Sequence, residues 1–412
     1  MTRSESPEDR PLLRFVARSA AVTESRAAPL RAALAARRRA RGAAYAVWPS
    51  LETPLQIVPL HRPDVAAWAR ETFEPWTRRP GAAAFVWSVL RSRALLLVSE
   101  PGPLAPFAEA ALGRGAGSMD ALYVSMTGGR ASKLLCFVFD HGARSPAAVA
   151  KVIPDPRFAQ GLRHEVSVLA EVRERALPDD VAAALPLAPL AADTVDGDFI
   201  AVEPVDELAR HTGAENRDTA LRWLERFHRA TRTEATAWDA GDTERLLASA
   251  RYAWEQTRPQ RAGALLAELE RRSAGLHGSA VDRCTSHGDF WRGNIASWGG
   301  SLRVFDWEWA EHGATPFLDL WAYELAPLLN RSWDGGSELV DALARASDNV
   351  RTAIAARGLP EDFAAVTLAP MLAELAFRFR RDRGIAGGSE ARFARMLPAV
   401  ERLMEAGSPR AS

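Results

Sequence analysis

The sequence is poor in lysine and cysteine, and it contains no long apolar run. Only two of its 52 basic residues are lysines, Lys133 and Lys151. Two cysteines, Cys136 and Cys284, are too few for a disulfide framework. No apolar stretch reaches the roughly 18 residues of a membrane helix, and the polar N-terminus lacks the apolar segment of a signal peptide. We therefore expect a cytoplasmic protein that does not insert into a membrane.

Neither sign of charge is in excess. Lys plus Arg and Asp plus Glu both total 52, so the formal net charge is zero. A balanced chain has no general attraction to nucleic acid or to an anionic membrane, and we expect neither as a partner. With 47% hydrophobic residues over 412 positions, the composition is typical of a globular protein of two or three domains. Nothing in the composition indicates an oligomeric state.

Several common catalytic motifs are absent. Neither lysine follows a glycine, which a P-loop requires, and no serine has the flanking glycines of a hydrolase nucleophile elbow. His164 and Glu165 begin a zinc-protease pattern, but Val168 occupies the position of its second histidine. No Gly-x-Gly-x-x-Gly follows a predicted strand. These absences argue against P-loop ATPases, metal hydrolases and Rossmann dehydrogenases.

Hydrophobic patterning divides the chain into three parts. Residues 1–117 mix helical and strand patterns without a chemical motif and end in a glycine-rich stretch, so we expect an accessory α/β region there. Residues 118–204 are rich in strand patterns, whereas residues 205–412 are mainly helical. The predicted helices cover 27–42, 63–76, 103–112, 158–176, 216–230, 337–357, 361–383 and 389–406. The predicted strands cover 44–48, 55–60, 94–98, 122–126, 134–139, 147–153 and 199–202.

A predicted hairpin brings together two candidate metal ligands. Two short strands flank Gly299 and Gly300, a pair typical of a tight turn. Counting back from that turn places Asn294 and Asp306 side by side at the open end of the hairpin. An amide oxygen beside a carboxylate suits Mg²⁺, which prefers hard oxygen ligands. The alternative is that these residues only cap strands and turns.

The segment before this hairpin reads His-Gly-Asp-Phe-Trp-Arg-Gly-Asn over residues 287–294. Asp289 lies five residues before Asn294 on the same loop, where it could act as a general base beside the metal. Taken alone, His287 is more often a structural residue than a catalytic one. The combination of His287, Asp289 and Asn294 on one loop with the predicted hairpin register favours a functional site.

A second candidate pair involves one of the two lysines. On the helix predicted over 158–176, Glu165 shares an apolar face with Leu162 and Leu169. A carboxylate in an apolar stripe is costly unless it is paired, and Lys151 on the preceding strand is the nearest candidate partner. Lysine is a compact point charge where arginine is a planar fork, so a lysine retained in an arginine-rich chain indicates a site that arginine does not fit. The alternatives are that Glu165 points into solvent and that the two lysines are retained by chance.

These motifs resemble the aminoglycoside phosphotransferase and choline kinase group of small-molecule kinases. His287, Asp289 and Asn294 match the pattern H-G-D-x-x-x-x-N, and Asp306 is followed by Trp-Glu. The resemblance covers roughly residues 120–412. It implies an α+β, protein-kinase-like two-lobed fold with a small β-rich N-terminal lobe and a mainly helical C-terminal lobe. Residues 1–117 would then be an N-terminal α/β extension of unknown role.

The resemblance also implies roles for individual residues. Asp289 would orient the acceptor hydroxyl and accept its proton, and Lys151, aligned by Glu165, would contact the nucleotide phosphates. The glycine-rich segment would cover the phosphates, and the strand at 199–203 would act as the hinge that contacts adenine. The implied catalytic residues are Asp289, His287 and Arg292; the implied nucleotide contacts are Lys151, Glu165, Gly128, Gly129, Ser132, Ala201 and Glu203; and the implied metal ligands are Asn294 and Asp306.

Three features depart from the family pattern or extend it. The glycine-rich segment has only Gly128 and Gly129, without a third glycine. Lys133 is either a second phosphate contact or a charge at the end of a strand. Asp319 falls where the family often has an aspartate that supports the catalytic loop.

The sequence therefore predicts a Mg²⁺-dependent kinase that uses ATP, with GTP not excluded, and phosphorylates a small hydroxylated molecule. An aminoglycoside-like antibiotic, an amino alcohol and a sugar all remain open as the acceptor. The acidic residues available for a cationic acceptor are Asp239, Asp242, Glu244, Glu255 and Asp282, and arginines are interleaved with them. The alternative is a nucleotide-binding pseudokinase or scaffold with residues 1–117 as a docking module. Gly288 argues against a protein kinase, where arginine is usual at that position.

Overall fold

Among the residues that the structure describes, nine strands form one antiparallel sheet in the N-terminal half of the chain. The structure is a computed structural model and describes residues 11–24, 43–48, 54–59, 61–62, 64–65, 67–69, 72, 94–125, 133–206, 211, 216–329, 336–383 and 389–406. The strands are β1 (Ala17–Glu24), β2 (Ala43–Trp48), β3 (Gln56–Pro59), β4 (Ala94–Pro101), β5 (Met119–Ser125), β6 (Leu134–Asp140), β7 (Ala148–Val152), β8 (Ala191–Val195) and β9 (Asp198–Pro204). Their order across the sheet is β1-β4-β2-β3-β5-β6-β7-β9-β8.

Alternating side chains of these strands are buried on opposite faces of the sheet. Along β5, Ala121 and Tyr123 belong to one hydrophobic cluster, whereas Leu122 and Val124 belong to another. This is the two-residue period of a strand covered on both faces. The helices of this region are α1 (Pro11–Val16), α2 (Leu104–Ala111), α3 (Gln160–Arg173) and α4 (Asp179–Ala182).

The first four strands continue the same sheet as the next five. β3 pairs with β5 through Gln56 opposite Val124 and Ile57 opposite Tyr123. One core cluster contains Phe15, Tyr45 and Leu96 from the first part of the chain together with Tyr123, Ala150 and Val202 from the second. The predicted boundary after residue 117 thus falls inside one sheet, and a separate role for residues 1–117 stays a prediction. The helix predicted over 27–42 lies outside the described residues.

The second half of the chain is mainly helical. Its helices are α5 (Arg217–Ala230), α6 (Ala240–Thr257), α7 (Pro259–Ala274), α8 (Phe317–Leu329), α9 (Gly336–Ala355), α10 (Asp362–Arg383) and α11 (Ser389–Ala406). Its strands form three two-stranded pairs: β10 (Thr236–Ala237) with β11 (Ala280–Val281), β12 (Cys284–Ser286) with β15 (Glu311–Ala314), and β13 (Ile295–Trp298) with β14 (Ser301–Val304). Large aromatic side chains, Trp254, Trp307 and Trp321 among them, are fully buried in its core.

Local sequence explains where two of these helices begin. The side chain of Asn216 accepts hydrogen bonds from the backbone N–H groups of Asp218 and Thr219 at the start of α5. At the start of α6, Asp239 and Asp242 form a reciprocal capping box. Both arrangements satisfy backbone donors that the first helical turn leaves unpaired.

The chain divides into two compact units. One contains residues 1–167 and 187–210, and the other contains residues 168–186 and 211–412. The α+β class predicted from the sequence is confirmed, with the antiparallel sheet in the first unit and most helices in the second. Among the residues that the structure describes, none of the helices combines the length and apolar character that a membrane span requires.

Most predicted elements are found within a few residues of their expected bounds. The predicted strands correspond to β2–β7 and β9, and the predicted helices from 103–112 onward correspond to α2, α3, α5, α9, α10 and α11. The helix predicted over 63–76 is described only in part. The strands β1 and β8 were not predicted, because Ala and polar residues dominate both and neither carries a strong β pattern.

Candidate active site

Both lysines of the chain bind one glutamate in the sheet-containing unit. Lys151 Nζ on β7 donates to Glu165 Oε1 at 2.8 Å, and Lys133 Nζ donates to Glu165 Oε2 at 3.1 Å. A further ion pair joins Lys151 Nζ to Glu203 Oε1 at 3.0 Å. The Lys151–Glu165 contact predicted from the apolar face of α3 is confirmed.

We call Lys133, Lys151, Glu165 and Glu203 the lysine cluster. The side chain of Glu165 is 1% exposed and that of Lys151 is 11% exposed. Burial alone would lower the pKa of Lys151, but the Glu165 and Glu203 carboxylates hold it above its ordinary value. Burial alone would raise the pKa of Glu165, and the charges of Lys133 and Lys151 outweigh that effect and lower it. The two lysines offset the charge of the two glutamates, which makes burial of the cluster tolerable.

Strand register explains the contact with Glu203. In the β7–β9 ladder, Lys151 lies opposite Ala201, and Glu203 is two residues further along β9 on the same face. A long side chain can reach such a diagonal neighbour. The pKa of Glu203 is raised because burial and the Glu165 charge outweigh the effect of Lys151. A nucleotide contact at Ala201 or Glu203 stays a prediction.

Three further predicted nucleotide contacts cannot be placed. Gly128, Gly129 and Ser132 lie outside the described residues. The described chain resumes at Lys133, immediately before β6.

The second group of predicted residues lies in the helical unit: His287, Asp289 and Asn294 between β12 and β13, and Asp306 after β14. The hairpin register is confirmed: Trp298 pairs with Ser301 and Ile295 with Val304. The N–H of Phe305 donates to the carbonyl oxygen of Asn294 at 2.8 Å, which extends the pairing to the predicted position. Asp306 therefore follows directly, with a left-handed backbone angle φ of 66°.

Asn294 also contacts the candidate base. Its Nδ2 donates to Asp289 Oδ2 at 2.8 Å and to the Asp289 carbonyl oxygen at 2.9 Å. The amide oxygen is the atom of Asn294 suited to a cation. Within the described residues, no cluster of three or more His, Cys, Asp or Glu side chains could hold a metal. The two oxygen donors of Asn294 and Asp306 fit Mg²⁺, which proteins commonly bind through one or two side chains, water and substrate phosphates.

A guanidinium holds Asp289 from the other side. Arg378 of α10 donates through Nη2 to Asp289 Oδ1 and through Nη1 to the carbonyl oxygen of Gly288. The Arg378 side chain is 5% exposed, and its guanidinium lies 4.7 Å from the centre of the Trp309 ring, in the geometry of a cation–π contact. The carboxylate of Asp289 is thus fixed by Asn294 and Arg378 together. Sequence reasoning missed Arg378, because nothing local distinguishes it from the other arginines of α10.

His287 shapes the loop through both ring nitrogens. Its Nε2 donates to the Phe305 carbonyl oxygen at 2.9 Å, and its Nδ1 accepts from the Asp289 N–H at 3.2 Å. The residue is fully buried, and its ring centre lies 4.6 Å from that of Trp307. These contacts position Asp289, while participation of His287 in the chemistry stays a prediction. Arg292 is exposed in the short 3-10 turn Arg292–Asn294.

Only glycine fits the backbone conformation and the close packing at position 288. The φ of Gly288 is 78°, in the left-handed region, and a Cβ added there would lie 2.0 Å from the carbonyl oxygen of Trp309. Backbone from the β15 side of the loop therefore passes directly against it. The glycine that distinguishes this loop from that of protein kinases is thus also the residue that allows its close packing.

Asp319 supports the loop from α8, as the family resemblance implied. Its carboxylate accepts from the N–H groups of His287 at 2.8 Å and Gly288 at 2.7 Å. His228 of α5 donates to it through Nε2 at 2.9 Å, and Arg357 donates to Nδ1 of the same ring at 3.1 Å. Burial lowers the pKa of His228 below its ordinary value, in keeping with a neutral ring that donates at one nitrogen and accepts at the other.

A cleft of about 710 Å³ lies beside this loop within the helical unit. Ser286, the residue before His287, lines it. So do Glu374 and Arg381 of α10, which lie one turn on either side of Arg378 on the same helix face. The helix α10 therefore both lines the cleft and supplies Arg378, which binds Asp289.

Charges in the cleft are nearly balanced. Asp242 binds Arg283 at 2.6 Å and also pairs with Arg245, and Glu374 binds Arg381 at 2.6 Å. Burial would raise the pKa of Asp242, but the two guanidinium groups lower it. The charged residues that line the cleft are Asp239, Asp242, Glu311, Glu374, Arg245, Arg283 and Arg381. Of the acidic residues predicted for a cationic acceptor, only Asp239 and Asp242 line it.

Comparisons with solved structures show similarity to small-molecule phosphotransferases. A thermostable mutant of aminoglycoside phosphotransferase APH(4)-Ia, in a ternary complex with ADP and hygromycin B, is 12% identical with a TM-score of 0.48 and covers 74% of this chain and 99% of its own. Glucosamine kinase in complex with glucosamine, ADP and inorganic phosphate is 18% identical with a TM-score of 0.42 and covers 76% of this chain and 90% of its own.

Comparison by sequence identifies the family. Among curated proteins, none matches the chain. A model of the phosphotransferase enzyme family, APH, matches residues 136–357, which include β7, α3 and the loop from His287 to Asp306. The resemblance inferred from that loop is confirmed. Because the match spans more than half of the 412 residues, the chain belongs to the phosphotransferase enzyme family.

Proposed function

We propose that the protein transfers the γ-phosphoryl group of ATP to a hydroxyl group of a small molecule. The observation that carries this proposal is the fixed position of Asp289. Its carboxylate is held by Asn294 at 2.8 Å and by Arg378, at the open end of the hairpin that carries Asp306. A half-buried, oriented carboxylate beside two hard oxygen donors is what a base acting next to a metal–nucleotide complex requires.

The residues divide the chemistry between them. The acceptor hydroxyl oxygen forms the new bond to the γ-phosphorus, the bond to the leaving β-phosphate oxygen breaks, and the hydroxyl proton passes to Asp289. Lys151, oriented by Glu165, neutralises phosphate charge. Asn294 and Asp306 would hold Mg²⁺, which supplies charge neutralisation on the phosphates. GTP in place of ATP fits the same chemistry.

The charge of the cleft favours an acceptor with little net charge. A polycationic aminoglycoside would need unpaired carboxylates. Here four carboxylates and three guanidinium groups line the cleft. All three guanidinium groups pair with Asp242 or Glu374, which leaves only Asp239 and Glu311 for the several amines of such an acceptor. Hydroxyl groups can hydrogen-bond to such paired charges without disturbing the balance. A sugar-like polyol therefore suits this cleft better than an aminoglycoside-like antibiotic.

A phosphoryl-transfer screen tests the proposal. Nucleotide consumption by the full chain would be measured with sugars, amino sugars, amino alcohols and aminoglycosides, with and without Mg²⁺, and the phosphorylated product identified by mass spectrometry. We expect Mg²⁺-dependent product from at least one hydroxylated acceptor, with neutral sugars preferred. Asp289→Asn serves as the matched inactive control. Nucleotide binding without any transfer across the panel would instead support the pseudokinase alternative.

A further inference from the structure

The lysine cluster contains every lysine of the chain. Arginine supplies all other basic positions, yet Lys133 and Lys151 bind the two oxygens of the single carboxylate of Glu165, at 3.1 Å and 2.8 Å. A planar guanidinium cannot present a compact charge with three rotatable donors, whereas an ammonium can. Lys133 therefore shares its partner with Lys151, and both are exceptions to the use of arginine elsewhere in the chain.

Lys133 also lies where three strands end together. Leu134, the next residue, pairs with Ser125, the last residue of β5, and with Val152, the last residue of β7. Lys133 thus follows segment 126–132, which links β5 to β6, and reaches Glu165 from the end of the sheet. Its side chain is 14% exposed, so it remains accessible to a ligand.

Pairing of Lys151 does not require a second lysine. Lys151 already has two carboxylates, Glu165 at 2.8 Å and Glu203 at 3.0 Å. Lys133 opposes the charged form of Lys151, since the charge of Lys133 lowers the pKa of Lys151 whereas the two glutamates raise it. Two ammonium groups held on one carboxylate are mutually repulsive, and an added anion relieves that repulsion. Polyphosphate is an anion of the required kind, and lysine is a common point-charge partner of phosphate.

We propose that Lys133 is a second phosphate-binding residue, which exchanges part of its contact with Glu165 for a phosphate oxygen when nucleotide binds. This inference rests on the proposed function, because it requires a nucleotide polyphosphate as the ligand. It assigns Lys133 to the phosphates and not to adenine or ribose. Nucleotides with several phosphates should therefore depend on Lys133, whereas adenosine should not.

The scarcity of lysine permits a direct test on the unmodified full chain. Amine acetylation followed by mass spectrometry reads Lys133 and Lys151 separately, with the α-amino group as the remaining reactive amine. ATP and ADP should slow acetylation of Lys133 several-fold, and adenosine at a saturating concentration should not. An unchanged rate at Lys133 in the presence of bound ATP would overturn the proposal. Equal protection by adenosine would also overturn it.

Substitution gives an independent measurement. Lys133→Met should weaken ATP binding by about tenfold, the loss of one charge-assisted hydrogen bond, and leave adenosine affinity unchanged in calorimetry. Lys133→Arg should restore only part of the loss, because the fork does not reproduce a point charge. Arg114→Met is the matched control: it also removes one positive charge from the same unit, but from an exposed ion pair with Asp140.

These measurements distinguish failure of this inference from failure of the proposed function. If the unsubstituted chain phosphorylates an acceptor while Lys133→Met binds ATP normally, the inference is wrong and the function stands. Parallel loss of ATP and adenosine affinity in Lys133→Met would indicate a structural role and also reject the inference. If the unsubstituted chain binds no nucleotide, both fail together.

Discussion

At the scale of single residues, the proposed function gives different roles to Asp289 and Asp306, the aspartates before and after the β13–β14 hairpin. Asp289 is bound by Asn294 and Arg378, whereas Asp306 follows the hairpin residue opposite Asn294. In the proposed function, Asp289 is the base and Asp306 is a metal ligand together with Asn294. Substitutions that only remove the charge should separate the two roles.

Asp289→Asn should lower turnover by roughly 10²–10⁴, the usual effect of losing a general base, with little change in nucleotide affinity. Asp306→Asn should instead weaken both nucleotide binding and its dependence on Mg²⁺, because a metal ligand is lost. Steady-state turnover and calorimetric nucleotide affinity of both variants give the comparison. Equal effects of the two substitutions on nucleotide binding would mean that the roles are assigned wrongly.

Lys151→Arg keeps the positive charge but replaces the compact ammonium group with a planar guanidinium. In the present arrangement one Nζ contacts Glu165 at 2.8 Å and Glu203 at 3.0 Å within a buried cluster. The wider fork of arginine cannot occupy that point without displacing a partner. We expect ATP turnover to fall by roughly 10–100-fold, the equivalent of one or two lost charge-assisted hydrogen bonds. Undiminished turnover would show that lysine scarcity carries no functional meaning at this position.

At the scale of elements, the loop is held by helices that come before and after it in the chain. α8 contributes Asp319, α5 contributes His228, and α10 contributes Arg378. None of these contacts is local in sequence: Asp319 follows Gly288 by 31 residues and Arg378 follows Asp289 by 89 residues. The loop geometry is therefore expected to respond to changes in the helix core that never touch a substrate.

The buried His228 predicts a pH dependence of stability. Its pKa is lowered in the folded protein, whereas the unfolded chain has an ordinary histidine pKa of about 6.5. Below that pH the unfolded state binds a proton that the folded state does not, so the free energy of unfolding falls as the pH decreases towards the lowered pKa. The contribution of one such group has a slope of at most roughly 1.4 kcal/mol per pH unit. Above about pH 6.5 its stabilising contribution is complete.

His228→Gln provides the matched variant for this measurement. The glutamine amide can still donate to Asp319 and its oxygen can accept from Arg357, but it has no titratable group. Urea unfolding at a series of pH values between 5 and 8 should show a flatter profile for the variant. A profile that keeps the full slope of the unsubstituted chain would assign the pH dependence to other groups.

At the scale of the whole molecule, residues 1–117 and 118–204 share one sheet and one core cluster. Removal of residues 1–117 would uncover the edge of β5 that pairs with β3. It would also remove Phe15, Tyr45 and Leu96 from the core. A free strand edge with exposed apolar surface promotes aggregation.

A chain that begins at residue 118 should consequently melt at a lower temperature than the full chain and scatter light before it unfolds. Ile57→Ala tests the same interface without truncation, and should cost about 2–5 kcal/mol of unfolding free energy, as large-to-small changes in a core do. Thermal melts with light scattering and urea unfolding measure both. A truncated chain with an unchanged melting temperature would support the alternative of a separate docking module.

By itself, the sequence determined the features that depend on neighbours in the chain. The helix predicted over 361–383 is α10, Asp362–Arg383, and the two glycines at 299 and 300 produced the expected hairpin register. Hydrophobic period, turn residues and the spacing of the loop motif are all local signals. They were enough to predict the pairing of Lys151 with Glu165 and, through the family resemblance of the loop motif, the α+β class and the family.

Only the tertiary structure decided which distant segments meet. Local patterns carry no information about partner strands, so nothing in the sequence indicated that β3 pairs with β5 across the predicted boundary. The same limit explains why Arg378 was missed, since it becomes distinctive only when α10 packs against Asp289. It also applies to Lys133, because only the packing of β6, β7 and α3 showed that both lysines contact Glu165. Packing between remote elements depends on the combined burial of their apolar faces, a property of the folded chain and of no single segment.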